Sequence, residues 1–377
     1  MRTVNKSYKY RIYPNKKQQE ILEFNMGCAR FVFNHVKGIY EIYRKQAIRY
    51  GFKLYTNRKL FNVILNDLKK HYPFLKESNS TALQKAYDNL INAYKMISKA
   101  NHGWVKFKSR KNPVQSFRTL NIKIIDGKLK LPKIKTLIPM KYSRKVCGDI
   151  LTATISRNNS NQYFVSINVK NSAIKQLNKT KKKVGIDLGL KNLATFSNGF
   201  KTGKIQLKEV DRKIKRQGQI LSNKVKNGRN WVKAKTKLNR LYQKKKDIII
   251  DFLHKTTNKI IQEFDEIYIG NVNSKLGLKN KRLSRVTADQ HWYEFKRQLE
   301  YKSNWYNKHF KVVDEKYTSK TCSNCGYVTE SLDLNIRRWI CPECDTKHDR
   351  DVNAARNILT VGTTGLAFSK TNKELVD

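Results

Sequence analysis

Cys322-Ser-Asn-Cys325 and Cys341-Pro-Glu-Cys344 are separated by 15 residues. Each knuckle offers two sulfurs from one tight turn, and two knuckles at this spacing close a tetrahedral thiolate site for one Zn2+. Gly326 directly follows the first knuckle and eases the turn. Four protein ligands leave no open coordination position, so such an ion is structural. Without a metal, the same residues would be redox pairs or unrelated buried thiols. Cys28 and Cys147 are isolated and read as small buried side chains. Acids form the second set. Asp187 ends the run VGID, and Asp349-Arg350-Asp351 opens the helix-like stretch DVNAARNI. By themselves these acids read as a strand-end turn residue and, for Asp349, a helix N-cap.

The charge balance narrows the partners. Among 377 residues, 79 Lys and Arg face 29 Asp and Glu, a formal +50. Such a chain repels itself unless a polyanion neutralises it, and nucleic acid does so with release of counterions. An anionic membrane is disfavoured, because no run of 18 apolar residues exists. Basic residues recur through the first 18 positions without an apolar run, so no signal peptide is expected. A cytoplasmic, nucleoid-associated and reducing setting follows, in which cysteines serve as thiols or ligands.

These groups need elements to hold them. Residues 3–13 alternate as a strand that Pro14 ends. Leu22, Met26, Ala29, Phe33 and Val36 share one helical face, and Leu83, Ala86, Leu90, Ala93 and Met96 another. Residues 101–119 read as a basic, aromatic loop. Asp126-Gly127 turns a hairpin, and 151–170 form a second one. The first half is therefore a small β-barrel (1–15 and 111–175) with a helical insertion (16–110). Residues 171–183 read as a linker. Beyond it, VGIDLGLKNLATFSNG predicts strand, turn and strand, and 205–262 a basic helical hairpin broken near 228–230. EIYIG predicts a short buried strand, 288–307 a helix and 309–319 a strand. This order is an α/β sheet of mixed strands. Residues 363–377 are expected to form a flexible tail.

Several of these segments together resemble the TnpB family of transposon-encoded RNA-guided endonucleases. They are VGIDLGLKNLATFSNG (184–199), DFLHK (251–255), the spaced Trp292, Phe295, Leu299, Tyr301 and Lys302, YTSKTCSNCG (317–326) and HDRDVNAARNI (348–358). YKYRIYP (8–14), Gln18 and Arg30 to Asn34 extend the resemblance to the front. It covers most of the chain and is most specific over 184–358. The resemblance implies a wedge-like barrel with a helical recognition domain. An RNase H-like (RuvC-like) nuclease domain follows, over 184–319 and 345–362, with a zinc ribbon inserted at 320–344. It also implies a guide RNA from the transposon end, a short target-adjacent motif, and cleavage of double-stranded DNA by a monomeric ribonucleoprotein.

The implied chemistry is hydrolysis at two Mg2+ ions roughly 4 Å apart, which needs several converging carboxylates. Asp187 and Asp351 match the first and third acids of the family. The second, commonly a Glu at the end of the EIYIG strand, is here Gly270. Either the chain binds guided targets without cutting, as a repressor, or another acid serves. Glu266 lies on the same strand four residues back, roughly 13 Å away at about 3.3 Å per residue. Asp265 is farther, and Asp289 starts the next helix as a cap. Glu315 ends the following strand, KVVDE. If that strand runs parallel beside EIYIG, Glu315 comes from a neighbour about 4.8 Å away. Asp314 points to the opposite face. The chain resembles those branches of the family that have Gly on the earlier strand and Glu just before the Tyr-Thr-Ser run, which makes Glu315 the expected second metal ligand. No Tyr nucleophile motif accompanies a metal-binding His pair, which sets DNA transposition aside.

Lys9, Arg11, Arg30, Lys108, Arg110, Lys111 and Arg118 are the nucleic-acid candidates of the first half. Lys233 and Lys237 represent the basic hairpin. Arg350 offers a planar fork to a phosphate or a structural ion pair.

Overall fold

The computed structural model describes residues 2–100, 103–272, 290–333 and 335–366, with Ser284 and Ala288. Asp289 and residues 367–377 lie outside the described residues. Two compact units divide at Ala173/Ile174.

In the first unit, β1 (Arg2–Ile12) buries the alternate residues Tyr8, Tyr10 and Ile12. Asn15 caps α1 (Lys16–Arg49): its side chain accepts from Gln18 N, and the Gln18 side chain accepts from Asn15 N. The helix buries Leu22, Met26, Ala29, Phe33 and Val36 against α2 (Arg58–His71) and α3 (Ser80–Ala100). The buried face of α3 runs through Leu83, Ala86, Leu90, Ile91 and Tyr94, while Met96 is exposed. Cys28 is buried, but Cys147 is exposed, contrary to its expected place in a core.

Residues 101–119 are not wholly loop, because β2 (Val114–Thr119) pairs with β5 (Asp149–Asn158). Asp126 and Gly127 both take positive φ, 48° and 71°, and turn β3 (Lys123–Ile125) into β4 (Lys128–Lys130). With β6 (Tyr163–Ile174) the main sheet has the order β1-β6-β5-β2. The end of β1 continues this pairing sideways through Ile12 to Met140, and Ile138 bridges to Leu129 on β4. Around the expected barrel, β1 and β2 thus stand at opposite ends of the main sheet.

In the second unit, β7 (Lys183–Leu188) and β8 (Ala194–Phe196) form an antiparallel pair. The helices α4 (Lys208–Ser222) and α5 (Arg229–Glu263) break at Gly228. Next come β9 (Glu266–Gly270), α6 (Trp292–Tyr306) and β10 (His309–Val313). The ribbon hairpin β11 (Arg338–Ile340) and β12 (Lys347–Asp349) leads into α7 (Arg350–Thr364). The sheet order is β10-β9-β7-β8, with β10, β9 and β7 parallel.

Strand alternation divides the duties of the two faces. Val184, Ile186, Ile267 and Ile269 pack with Leu253, Ile260, Phe295 and Leu299 of α5 and α6. Gly185, Asp187, Tyr268 and Gly270 alternate with them and face α7. The helix seats very closely on that side. A Cβ on Gly185 would lie 2.1 Å from Ala355 O, and one on Gly362 would lie 2.2 Å from the Tyr268 ring. Two glycines therefore set how near α7 comes to the acid-bearing strands.

One buried cation has a consequence for pH. Lys302 on α6 is 4% exposed, and its Nζ donates to His254 O at 3.2 Å and Thr257 Oγ1 at 2.6 Å. Burial pulls its pKa from 10.5 down to about 8, against the weaker opposing pull of Glu294. Below about pH 8 the charged form is carried in both folded and unfolded chains, and its burial cost is present in full. Between about 8 and 10.5 the unfolded chain binds more protons, so this group makes stability rise with pH. Comparing melting curves of wild type and Lys302→Met across that range is expected to show the rise shrinking in the variant.

Candidate active site and metal centre

The acids arrive from three elements. Ile186 pairs with Ile269, and Val313 pairs with Gly270, so Asp187, Gly270 and Val313 stand level at the carboxyl end of the parallel strands. Functional residues gather at this end of open α/β sheets. Strand β10 stops at Val313, two residues short of the acid expected to end it. The chain then turns: Lys316 N donates to Asp314 Oδ1 at 3.1 Å, and Tyr317 takes φ 63°. Glu315, on the same side as Val313, folds over the neighbouring strand. Its Oε2 lies 2.7 Å from where a Gly270 Cβ would be. The carboxylate thus occupies the room that a side chain at Gly270 would need.

Asp351 stands in the first turn of α7. Asp349 is the N-cap, accepting from Asp351 N at 3.1 Å and Val352 N at 3.2 Å. Its other oxygen accepts from Lys201 Nζ at 2.8 Å. Asp187 keeps a partial opening to solvent yet is ringed by protein. Burial, then repulsion by Asp351 and Glu315, raises its pKa well above the usual carboxylate value; Arg350 and Leu188 N–H oppose this. Asp351 and Glu315 thus both act electrostatically on Asp187, while among the described residues the four cysteines alone bring their ligand atoms within metal-binding reach of one another. Burial also raises Glu315, with Lys296 of α6 pulling the other way.

The rival acids are engaged elsewhere. Asp265 accepts from Thr180 N, Lys181 N and Lys308 Nζ. Glu266 accepts from Tyr268 Oη at 2.8 Å and pairs with Lys183 at 3.2 Å. Asp314 is exposed and tied to its own turn.

The four knuckle cysteines meet. All four sulfurs lie within 4.8 Å of one another, with Cys322 to Cys344 at 3.7 Å and Cys325 to Cys341 at 3.5 Å. A tetrahedral Zn2+ with bonds of about 2.3 Å separates its sulfurs by about 3.8 Å, so the donor set fits that ion. Both knuckles share one geometry. Gly326 N donates to Cys322 O at 3.0 Å and Asp345 N to Cys341 O at 2.9 Å, each from a residue with positive φ. Hydrogen bonding by Thr346 holds the Cys344 thiol down to about 6, whereas burial raises Cys322 and pushes Cys325 up to about 12. His348 was not evident in the sequence: it is buried, 3.0 Å from Cys322 Sγ through Nε2, and tilted against Trp339.

The basic candidates are dispersed. On α5, Lys233 and Lys237 are exposed, one turn apart. Their hairpin is less one-sided than its composition, since Lys213 pairs with Glu209 and Lys245 with Asp211. In the first unit, Lys9 is exposed over the Phe164 ring, and Arg110 and Lys111 are exposed on the loop before β2. Arg11 packs over Tyr13, and Arg30 donates to Gln115 Oε1 at 2.7 Å. Lys108 is half-buried over Phe33, and burial lowers its pKa. Arg118 is half-buried on β2. Arg350 donates to Asp333 O at 2.7 Å, and Arg337 reaches Asp351 at 3.3 Å.

Three relatives span nearly all of this chain. The "TnpB-like protein L770" of Acanthamoeba polyphaga mimivirus is 27% identical over 94% of this chain and 73% of its own length. The "Putative RNA-guided DNA endonuclease InsQ" of Escherichia coli K12 is 28% identical over 96% and 93%. A "Putative RNA-guided DNA endonuclease" of Streptomyces pristinaespiralis is 32% identical over 96% of this chain and 90% of its own. The chain belongs to the TnpB family. Family models match three stretches: "Helix-turn-helix domain" at 1–49, "Probable transposase" at 166–281 and "Cas12f1-like, TNB domain" at 292–358. Under the first of these the structure has a strand and one unbroken helix. A cryo-EM structure of CasPhi-2 (Cas12j) bound to crRNA aligns over 97% of this TnpB-family chain at TM-score 0.45 and 10% identity, too distant to carry an argument. Among the described residues no helix is long and apolar enough to cross a membrane.

Proposed function

We propose that the chain is an RNA-guided DNA endonuclease, in which an RNase H-like domain hydrolyses guide-matched double-stranded DNA with Mg2+. The observation that carries this reading is the Glu315 carboxylate filling the space over Gly270, which stands level with Asp187 on the neighbouring strand. A guided binder without cleavage would have no use for a relocated acid at that point.

The three acids suit a hard divalent cation. Their donors are carboxylate oxygens, their net charge is negative, and burial makes the unneutralised acids costly. Asp187, Glu315 and Asp351 would hold two Mg2+ ions, which supply Lewis-acid activation of the phosphodiester and of the attacking water. The chain's own part is placement. Parallel strands fix Asp187, the turn after β10 fixes Glu315, and the capped helix fixes Asp351. Arg350, which acts electrostatically on Asp187, and Arg337, 3.3 Å from Asp351, would be available to a phosphate at the acids. Lys233 and Lys237 would follow a nucleic-acid backbone, contributing affinity without reading sequence. Sequence is read by pairing with a guide RNA from the transposon end, and the particle is a monomeric ribonucleoprotein in the cytoplasm.

Zn2+ at Cys322, Cys325, Cys341 and Cys344 would be structural. Metal analysis of the purified protein is expected to give one zinc per chain, and Cys341→Ser to lose it. The variant should also melt earlier, because binding of a structural zinc is itself folding free energy.

The test of function is direct. The protein is purified with its copurifying RNA and given Mg2+ and double-stranded DNA matching that RNA. Cutting of both strands, abolished by EDTA, is the expected result. A complex that binds the target and leaves it intact would make the chain a guided DNA-binding repressor.

A further inference from the structure

Two asparagines on α7 are buried beside the turn that follows Glu315. Asn353 and Asn357 are four residues apart, hence on one helical face, and only 1% and 2% exposed. A buried side-chain amide is costly unless its hydrogen bonds are made. Both amides reach the same pair of carbonyls. Asn353 Nδ2 donates to Thr321 O at 2.7 Å and more weakly to Thr318 O at 3.4 Å, and Asn357 Nδ2 donates to each at 2.7 Å. Asn353 Oδ1 in turn accepts from Ser323 N at 2.9 Å. Carbonyl oxygens accept only, so the amide nitrogens must face them.

The clasped segment joins the two candidate metal sites. Thr318 donates through N and Oγ1 to Glu315 O, at 3.2 and 2.8 Å. Thr321 N and Oγ1 return to Tyr317 O, at 2.9 and 3.0 Å. Cys322 follows at once. Tyr317 holds φ 63°, a left-handed conformation unfavourable for a bulky residue. Such a conformation persists where surrounding contacts over-determine it. The two asparagines supply those contacts from the helix that carries Asp351.

We infer that Asn353 and Asn357 are positioning residues, which lock the turn bearing Glu315, and the first cysteine knuckle behind it, to the helix bearing Asp351. Glu315 leaves a strand end and must hold its carboxylate over a neighbouring strand, so its backbone needs an anchor outside the sheet. The clasp is that anchor. The inference rests on reading Asp187, Glu315 and Asp351 as the Mg2+ site.

The test compares the full ribonucleoprotein as wild type, Asn353→Ala, Asn357→Ala and Val361→Ala. Val361 is buried on the same helix but bonds nothing in the turn. Cleavage is followed against Mg2+ concentration, target binding is measured separately, and amide hydrogen exchange is read over 315–323. Residues that orient metal ligands typically carry 10- to 100-fold in metal affinity. The asparagine variants should therefore raise the Mg2+ concentration for half-maximal cleavage by about tenfold or more. Exchange in 315–323 should quicken, with target binding unchanged. Val361→Ala should leave the Mg2+ midpoint within about twofold, even where it lowers the melting temperature as much. If the alanine variants do not fold, Asn353→Ser and Asn357→Ser, which keep a hydroxyl donor, carry the same comparison. Faster exchange with an unchanged Mg2+ midpoint, or no change in exchange, would overturn the inference while a cleaving wild type leaves the Mg2+ reading intact. A wild type that never cleaves would overturn both.

Discussion

Asp187→Asn is expected to abolish cleavage and, in the absence of Mg2+, to make the protein more stable. The two outcomes share one cause. Burial and repulsion by Asp351 and Glu315 act on the Asp187 carboxyl, against only Arg350 and the Leu188 N–H. An uncharged amide of the same shape removes that repulsion but cannot replace a carboxylate as a metal ligand. Removal of one preorganised electrostatic group from an active site typically costs on the order of 100- to 1,000-fold in rate, and loss of a metal ligand should cost at least as much. Relief of about 1 kcal/mol would raise the melting temperature by roughly 2–4 °C in a unit of this size. Cleavage assays and Mg2+-free thermal melts read both. Loss of activity with lower stability would show instead that Asp187 holds the fold together.

Gly185→Ala should have the larger effect on folding. The added Cβ would meet Ala355 O at 2.1 Å, Leu359 N at 2.6 Å and Leu359 Cβ at 2.8 Å. Two of these atoms belong to the backbone of a helix, which cannot rotate aside as a side chain would. Overpacking a core costs about 1–3 kcal/mol or more, and here relief requires α7 to move off the sheet. That movement carries Asp351 away from Asp187. Gly185→Ala is therefore expected to lose at least about 2 kcal/mol in denaturant melts, and to lose cleavage even at temperatures where it stays folded. Gly270→Ala is the contrast. Its nearest neighbour is the mobile end of Glu315, so its fold should be largely kept while the acid is displaced.

Local patterns made much of this arrangement legible. The Asp126-Gly127 hairpin, the buried face of α1 and the break before α5 are written in neighbouring residues. Glu315 was legible through the family resemblance, in which some branches carry Gly on the earlier strand and Glu just before Tyr-Thr-Ser; the parallel pairing of β10 with β9 that this needs comes from the structure. Its exact support was not readable. The strand stops at Val313, and the turn around Tyr317 depends on amides from Asn353 and Asn357, more than thirty residues away. Lys296 near Glu315 and His348 against Cys322 are likewise products of tertiary packing. The helix α2 is weakly marked despite Phe61, Ile64, Leu65 and Leu68 at helical spacing, because polar residues interrupt its short apolar run. Charge was the poorest guide in detail. Net charge marks Lys108 and Lys233 alike, yet one is packed over Phe33 and the other is exposed.

We propose that Glu315 supplies the nuclease acid missing at Gly270. The most direct measurement is Mg2+-dependent cleavage of a matched target by the guide complex carrying Glu315→Ala, beside wild type and with target binding checked. Cleavage by wild type, with binding kept and cutting lost in Glu315→Ala, is the predicted result. Cutting by Glu315→Ala at the wild-type rate would contradict it.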